Sequence, residues 1–178
     1  DIQDLIFGKY INDPYRWLED FTSKETKDWV DRQNKLTDAF LENEYQRKIK
    51  EDLKDIWITE DISIPFRRGD RTFYFYDNGK QQQSVFMMKD CNSCEAEVLL
   101  DPNQFSTDGT ISLSDISVSP NGEFLAYAIS DGGSDWRTWK VFNIKEKRDT
   151  DDVIEWSKFS CATWESDSSG FYYQKYQQ

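Results

Sequence analysis

Two hydrophobic periods divide this chain. Up to about residue 58 the apolar positions follow helical spacing. Trp29, Val30, Leu36, Phe40 and Leu41 recur with Lys, Asp and Glu between them. Thr22, followed three residues later by Glu25, has the signature of a capping box ahead of that run. A second helix is predicted after Asn43. There Ile49, Leu53, Ile56 and Trp57 fall at i, i+4, i+7 and i+8, a single apolar stripe. Packing against the chain's own neighbour is the expected role of that stripe, and a groove for a partner helix is the functional alternative. From about Ile62 the period shortens to that of strands.

The strand region repeats one phrase: a polar turn with glycine, then a run of aromatic and β-branched residues. Arg68-Gly69 leads into Thr72-Phe73-Tyr74-Phe75-Tyr76. Asn121-Gly122 leads into Phe124-Leu125-Ala126-Tyr127, and Ser169-Gly170 into Phe171-Tyr172-Tyr173. The glycines are spaced 53 and then 48 residues apart. The first unit is expected to run from Thr72–Tyr76 through a turn at Asp77-Asn78-Gly79 to Ser84–Met88, and to end at Glu97–Leu100. The second comprises Ile116–Ser119, Glu123–Ile129, Thr138–Phe142 and Asp152–Trp156, with a charged turn over residues 145–151. The third opens at Cys161–Trp164. Four short strands in a unit of 40–50 residues point to a β-propeller blade. A β-sandwich uses the same short strands and frequent turns, but the likeness of the three glycine phrases favours the propeller. Three blades do not close a ring, so further sequence is expected after residue 178, with unpaired strand edges where the last unit stops.

Composition sharpens this picture. Lys and Arg number 22 against 34 Asp and Glu, a net charge of −12. That balance repels phosphate backbones and anionic membrane surfaces, so neither nucleic acid nor a membrane is an expected partner. Aromatic residues make up 16% of the chain, too many for a disordered segment. Three cysteines do not make a disulfide framework, which favours a reducing cytosol and a cytoplasmic protein. Cys91 and Cys94 have a spacing known from metal and redox sites, but a structural zinc needs four ligands and the chain has no histidine. The pair is read as two incidental loop cysteines, and no metal or other cofactor is expected.

The absence of histidine also excludes a Ser-His-Asp triad or a Cys-His pair from this chain. No G-x-S-x-G elbow, phosphate-binding loop, dinucleotide fingerprint or HExxH occurs. Carboxylates are abundant, so a two-carboxylate glycosidase stays open on residue types alone. Most of them fall in turns and on helix faces, where solvation explains them. A non-catalytic propeller-like scaffold is the other alternative.

Five phrases together resemble the prolyl oligopeptidase family of serine peptidases. They are Asp13-Pro14-Tyr15-Arg16-Trp17-Leu18-Glu19-Asp20, Phe73–Gly79 with Gln81, Gln83 and Val85, Leu100-Asp101-Pro102-Asn103 with Asp108-Gly109-Thr110, Gly132-Gly133-Ser134-Asp135-Trp136, and Lys158-Phe159-Ser160-Cys161. They cover nearly the whole chain. The resemblance implies a mainly β fold: the first two to three four-stranded blades of a partial β-propeller, preceded by a two-helix N-terminal arm. Residues 1–58 match the arm, which belongs to the α/β-hydrolase domain of such enzymes, and residues 59–178 match the first blades. The implied reaction is hydrolysis of short peptides on the carboxyl side of proline, the propeller gating access to the site. The implied partners are proline-containing oligopeptides and the remainder of the same enzyme. The family's triad lies in its hydrolase portion, so no catalytic residue is expected here and this chain alone should be inactive. One site residue carries over: Phe159 matches the propeller phenylalanine lining an apolar subsite for the residue two before proline. Its alternative is blade core. Asp135 and Trp136 fall on a loop with no assigned role, and core packing is the alternative for Trp136.

Overall fold

The computed structural model describes residues 2–177 and divides into two compact units, Asp1–Ile56 and Trp57–Gln178. The first opens with an antiparallel hairpin of β1 (Ile2–Ile6) and β2 (Lys9–Asp13), closed by Phe7 and Gly8, both at positive φ. The helical reading of residues 1–58 overlooked this hairpin. A short 3-10 turn, Arg16–Glu19, precedes α1 (Lys24–Leu41) and α2 (Glu44–Trp57). The cap of α1 is Ser23 rather than Thr22: its side chain accepts the Thr26 N–H, while the Thr22 hydroxyl is held by Asp20 Oδ1. Asn43 Oδ1 caps the second helix by accepting the Gln46 N–H at 2.9 Å. The apolar stripe of α2 is not packed on a neighbour as expected. Ile49, Leu53, Ile56 and Trp57 are all exposed.

The acidic-aromatic phrase of the first unit has a structural role. Asp13 accepts the Tyr15 N–H and the Arg16 Nε, Arg16 also pairs with Asp4, and the Thr26 hydroxyl donates to the Trp17 carbonyl. Trp17 then meets Trp29 of α1 edge-to-face, with centroids 6.3 Å apart.

In the second unit, blade one is built from β3 (Asp61–Ile62), β4 (Phe66–Arg68), β5 (Arg71–Asp77), β6 (Val85–Lys89) and β7 (Glu97–Leu100). β3 and β4 pair with different parts of β5, so together they fill one strand position. Asn78 and Gly79 begin a seven-residue connection between β5 and β6. Blade two is β8 (Ile111–Val118), β9 (Phe124–Asp131), β10 (Arg137–Asn143) and β11 (Arg148–Ser157), antiparallel in sequence order. β11 is longer than expected. Arg148–Asp151, read as part of a charged turn, are strand, and one of two register shifts against β10 falls beside them, between Asp149 and Val153. Blade three starts with β12 (Thr163–Trp164) and β13 (Phe171–Tyr172).

Burial decides between propeller and sandwich. Leu125 and Tyr127 of β9 join Phe73, Phe86 and Met88 of blade one in one core cluster. The alternate residues Ala126 and Ala128 pack with Trp139 and Ala162 in a second cluster, on the side of blade three. Blade two is therefore covered on both faces by its sequence neighbours, which explains why β9 is apolar along nearly its whole length. Radially arranged sheets bury a strand in this way, whereas each sheet of a two-layer sandwich keeps one wet face.

The glycine phrases are the joints between these sheets. The Gly69 N–H donates to the Pro120 carbonyl at 3.0 Å, and Arg71 Nη1 donates to the Gly122 carbonyl at 2.8 Å. The turn of blade three also reaches blade two, but through a side chain, with the Asn121 N–H donating to Ser168 Oγ at 3.1 Å. A Cβ on Gly122 would stand 2.6 Å from the Arg68 carbonyl oxygen, and one on Gly69 2.4 Å from that of Asn121. Both glycines also have positive φ, so backbone proximity and handedness each demand glycine there.

Cys91 and Cys94 are bonded to each other. This corrects their reading as unpaired loop cysteines. The Cys94 N–H donates to the Cys91 carbonyl in a tight turn that sets their Cα atoms 5.1 Å apart, within disulfide reach. Cys161 is free and exposed.

Candidate functional site

Phe159 and Trp136, two of the residues singled out from the sequence, meet at the end of β11. Two serines fix the backbone there. Ser157 Oγ donates to the Gln174 carbonyl at 2.8 Å and accepts the Trp139 indole N–H at 3.2 Å. Ser160 Oγ accepts the Gln174 N–H at 2.9 Å. Both serines are buried. The Tyr176 N–H donates to the Trp156 carbonyl at 2.8 Å, which lays residues 174–176 alongside 156–160. The two residues between the pinned serines, Lys158 and Phe159, are turned outward.

This turn is held in an uncommon conformation. Trp156 and Phe159 have φ of 62° and 53°, a left-handed region that bulky L-residues enter at a cost of about 1–2 kcal/mol each. Phe159 is 69% exposed, so it is not blade core. The fully buried tryptophan of this region is Trp139. Trp136 is half-buried and stands at the corner itself.

Four aromatic rings and one cation converge there. Trp136 meets Trp156 edge-to-face at 5.3 Å and Tyr176 at 5.7 Å between centroids. Lys158 Nζ lies 4.5 Å from the Trp136 ring centroid, 5.4 Å from that of Tyr176 and 5.8 Å from that of Phe159. Each is within cation–π range. No carboxylate lies within salt-bridge distance of Lys158 among the described residues. The neighbouring Arg137, by contrast, reaches Asp115 at 3.5 Å and the Ser160 carbonyl at 3.4 Å. Asp135 is exposed and takes no part in the cluster.

Chemically this corner can bind but not cleave. It offers exposed aromatic surface and an unpaired ammonium. Among the described residues no group of His, Cys, Asp and Glu is arranged to hold a metal ion. The sequence reading singled out Phe159 by resemblance and left the Asp135-Trp136 loop without a role. It gave no part in this cluster to Lys158, Trp156 or Tyr176, since nothing in their spacing marks the positive φ or the return of residues 174–176.

Comparison with known proteins follows the same lines. The description "Prolyl oligopeptidase, N-terminal beta-propeller domain" matches residues 2–178. The chain belongs to the prolyl oligopeptidase family. Its relatives include a prolyl endopeptidase from Elizabethkingia miricola, 41% identical over 174 residues that cover 97% of this chain and 24% of that protein. Prolyl oligopeptidase A from Amanita bisporigera is 35% identical over 188 residues, 93% of this chain and 25% of that protein. Among solved structures, a chain from a study of two prolyl endopeptidases and their inter-domain dynamics superposes with a TM-score of 0.79 at 32% identity, over 97% of this chain and 26% of its own. Prolyl oligopeptidase B from Galerina marginata, bound to a 25mer macrocyclization substrate, gives a TM-score of 0.75 at 29% identity, over 96% of this chain and 26% of its own. This chain thus spans about a quarter of the length of the curated relatives it matches. Its sheets are the first blades of a propeller, two complete and the third begun.

Proposed function

We propose that these residues are the N-terminal part of a serine endopeptidase that hydrolyses short peptides on the carboxyl side of proline. The reaction passes through an acyl-enzyme on a serine outside this chain. Residues 1–58 serve as the helical arm of an α/β-hydrolase domain, and residues 59–178 begin the propeller that gates access to it. The observation that carries this reading is the match over residues 2–178 to the propeller of a proline-specific peptidase family, joined to a sequence without histidine. The test is turnover of fluorogenic peptides by the intact protein that carries these residues. Cleavage after proline, absent when alanine replaces the proline and abolished by a serine-directed phosphonate, is expected. Equal cleavage of the two peptides would defeat the proposal. Residues 1–178 alone are expected to show no turnover.

Phe159 is the substrate-binding residue of this reading, lining an apolar subsite for the residue two before proline. Its exposure and its strained backbone support that role, since strain of this kind collects at binding sites. Phe159→Ala is expected to raise KM about tenfold for a peptide with leucine at that position, and much less for one with glycine. A cytoplasmic location belongs to the same proposal. It requires the Cys91–Cys94 bond to be open in the cell, because cytosolic thiols are kept reduced. Maleimide trapping at lysis should then label three thiols in these residues, and labelling of Cys161 alone would speak against that location.

A further inference from the structure

Lys158 stands out by what it lacks. In a chain with 34 acidic and 22 basic residues, its ammonium faces three aromatic rings and no carboxylate within salt-bridge distance among the described residues. Among the described residues none of its three N–H donors reaches an acceptor in the hydrogen-bond network of the corner. The rings attract the cation but accept no strong hydrogen bond from it. Its position is nevertheless fixed. The backbone is pinned by Ser157 and Ser160, the flanking φ angles are positive, and Trp136 and Tyr176 hold the ammonium on two sides.

The distances define what would complete this site. A carboxylate oxygen hydrogen-bonded to Lys158 Nζ lies about 2.8 Å from it. With Nζ 5.8 Å from the Phe159 centroid, such an oxygen can sit at the rim of that ring. A ligand suited to both has an apolar stem for the ring face and an anionic end for the ammonium. A glutamate side chain has this shape. A phosphate lacks the stem, and a leucine lacks the charge.

We propose that Lys158 is a specificity-determining residue that selects peptides with an acidic side chain, glutamate above all, two residues before the cleaved proline. The inference rests on the reading of Phe159 as the subsite for that position, and it adds an ionic determinant to an apolar one. Desolvation against the aromatic rings strengthens the pair relative to a free surface ion pair, while salt weakens it.

The experiment compares, in the intact enzyme, two fluorogenic peptides identical except for Glu or Gln two residues before proline. At low ionic strength kcat/KM is expected to favour the Glu peptide about fivefold. That ratio should fall toward one in about 0.5 M salt and in Lys158→Met, and should persist in Lys158→Arg. Circular dichroism melting of the variants checks that they fold. A wild-type ratio of one overturns the proposal without any variant. So does a ratio above one that survives Lys158→Met. Failure of the underlying reading shows differently: Phe159→Ala would then leave KM for the leucine peptide unchanged, whatever the Glu-to-Gln ratio.

Discussion

Replacing Gly122 with alanine tests whether the repeating turns join the blades as the hydrogen bonds indicate. Gly122 sits at φ +74, and its added Cβ would stand 2.6 Å from the Arg68 carbonyl oxygen of the neighbouring blade. The left-handed conformation alone costs an alanine about 1–2 kcal/mol. The overlap is with backbone, so either turn must move. Both nearby inter-blade hydrogen bonds, Gly69 N–H to Pro120 and Arg71 Nη1 to Gly122, lie on the moving segments. Weakening one of them adds about 0.5–1.5 kcal/mol, so the expected loss is about 2–3 kcal/mol in total. Gly132 supplies the control. It has φ +58, and a methyl group added there would meet nothing within 4 Å, so Gly132→Ala should show the conformational cost only, about 1–2 kcal/mol. Urea unfolding of both variants measures the difference, provided the slope with denaturant is unchanged. Equal destabilisation of the two would refute the close approach of the turns, and a neutral Gly122→Ala would refute the backbone conformation as well.

Other outcomes follow from single contacts. Gln83 joins blade one to β8 by donating to the Ile111 carbonyl and accepting the Leu113 N–H, so Gln83→Ala should cost about 2–3 kcal/mol in the same unfolding assay through the backbone groups it orphans. The Tyr127 hydroxyl is pushed up in pKa first by burial and then by its hydrogen bonds to Asp149. Its contribution is therefore present below the unfolded value near 10 and lost as pH rises above it. Tyr127→Phe should be less stable near neutrality, with a shallower alkaline decline. At the acid end, burial raises the Asp101 carboxyl, but hydrogen bonds from Asn103 and Gln104 outweigh it and leave the pKa lowered. Stability from Asp101 is present above about pH 4 and lost as pH falls through the folded value, and Asp101→Asn should flatten that part of a pH–melting profile. Replacing Cys91 and Cys94 with serine together should cost about 2 kcal/mol, the chain-entropy value for so short a loop.

Much of the propeller was readable because its physics is local. A glycine that must adopt positive φ beside another backbone stands on each side of the joint between the first two blades, so Gly69 and Gly122 marked it, while Gly170 has open space around it and its turn was marked by likeness of sequence alone. β9 was readable for the same reason: burial on both faces makes it a nearly unbroken apolar run. Elements whose stability comes from elsewhere were harder. β3 and β4 are two and three residues long and depend on β5 for every pairing. The outer part of β11 carries Arg148, Asp149 and Asp151, which read as turn until the sheet edge is seen to leave them in water. The hairpin of β1 and β2 is short, and its apolar residues stay exposed, so no alternation announced it.

The aromatic corner around Phe159 shows the complementary limit. Phe159 entered through a family phrase, yet what defines its surroundings is the path of residues 174–176 back along Trp156 and the handedness of two aromatic residues. Local propensity works against both, because a bulky side chain avoids left-handed backbone. The conformation is held by a hydrogen-bonded chain that runs through Trp139, Ser157, Gln174 and Ser160. Ser157 links the buried indole of Trp139 to the Gln174 carbonyl, accepting from one and donating to the other. Ser157→Ala removes the Gln174 contact and leaves the buried Trp139 indole N–H without an acceptor, at a cost of about 2–3 kcal/mol. If the strain at Trp156 and Phe159 is stored by that set, the same change should also let the turn relax and disperse the rings around Lys158. Trp136 and Trp156 fluorescence should then shift and lose its dependence on Lys158. A variant with the full stability loss but an unaltered emission spectrum would mean that the aromatic frame holds itself, and that the serines beneath it serve only the blade.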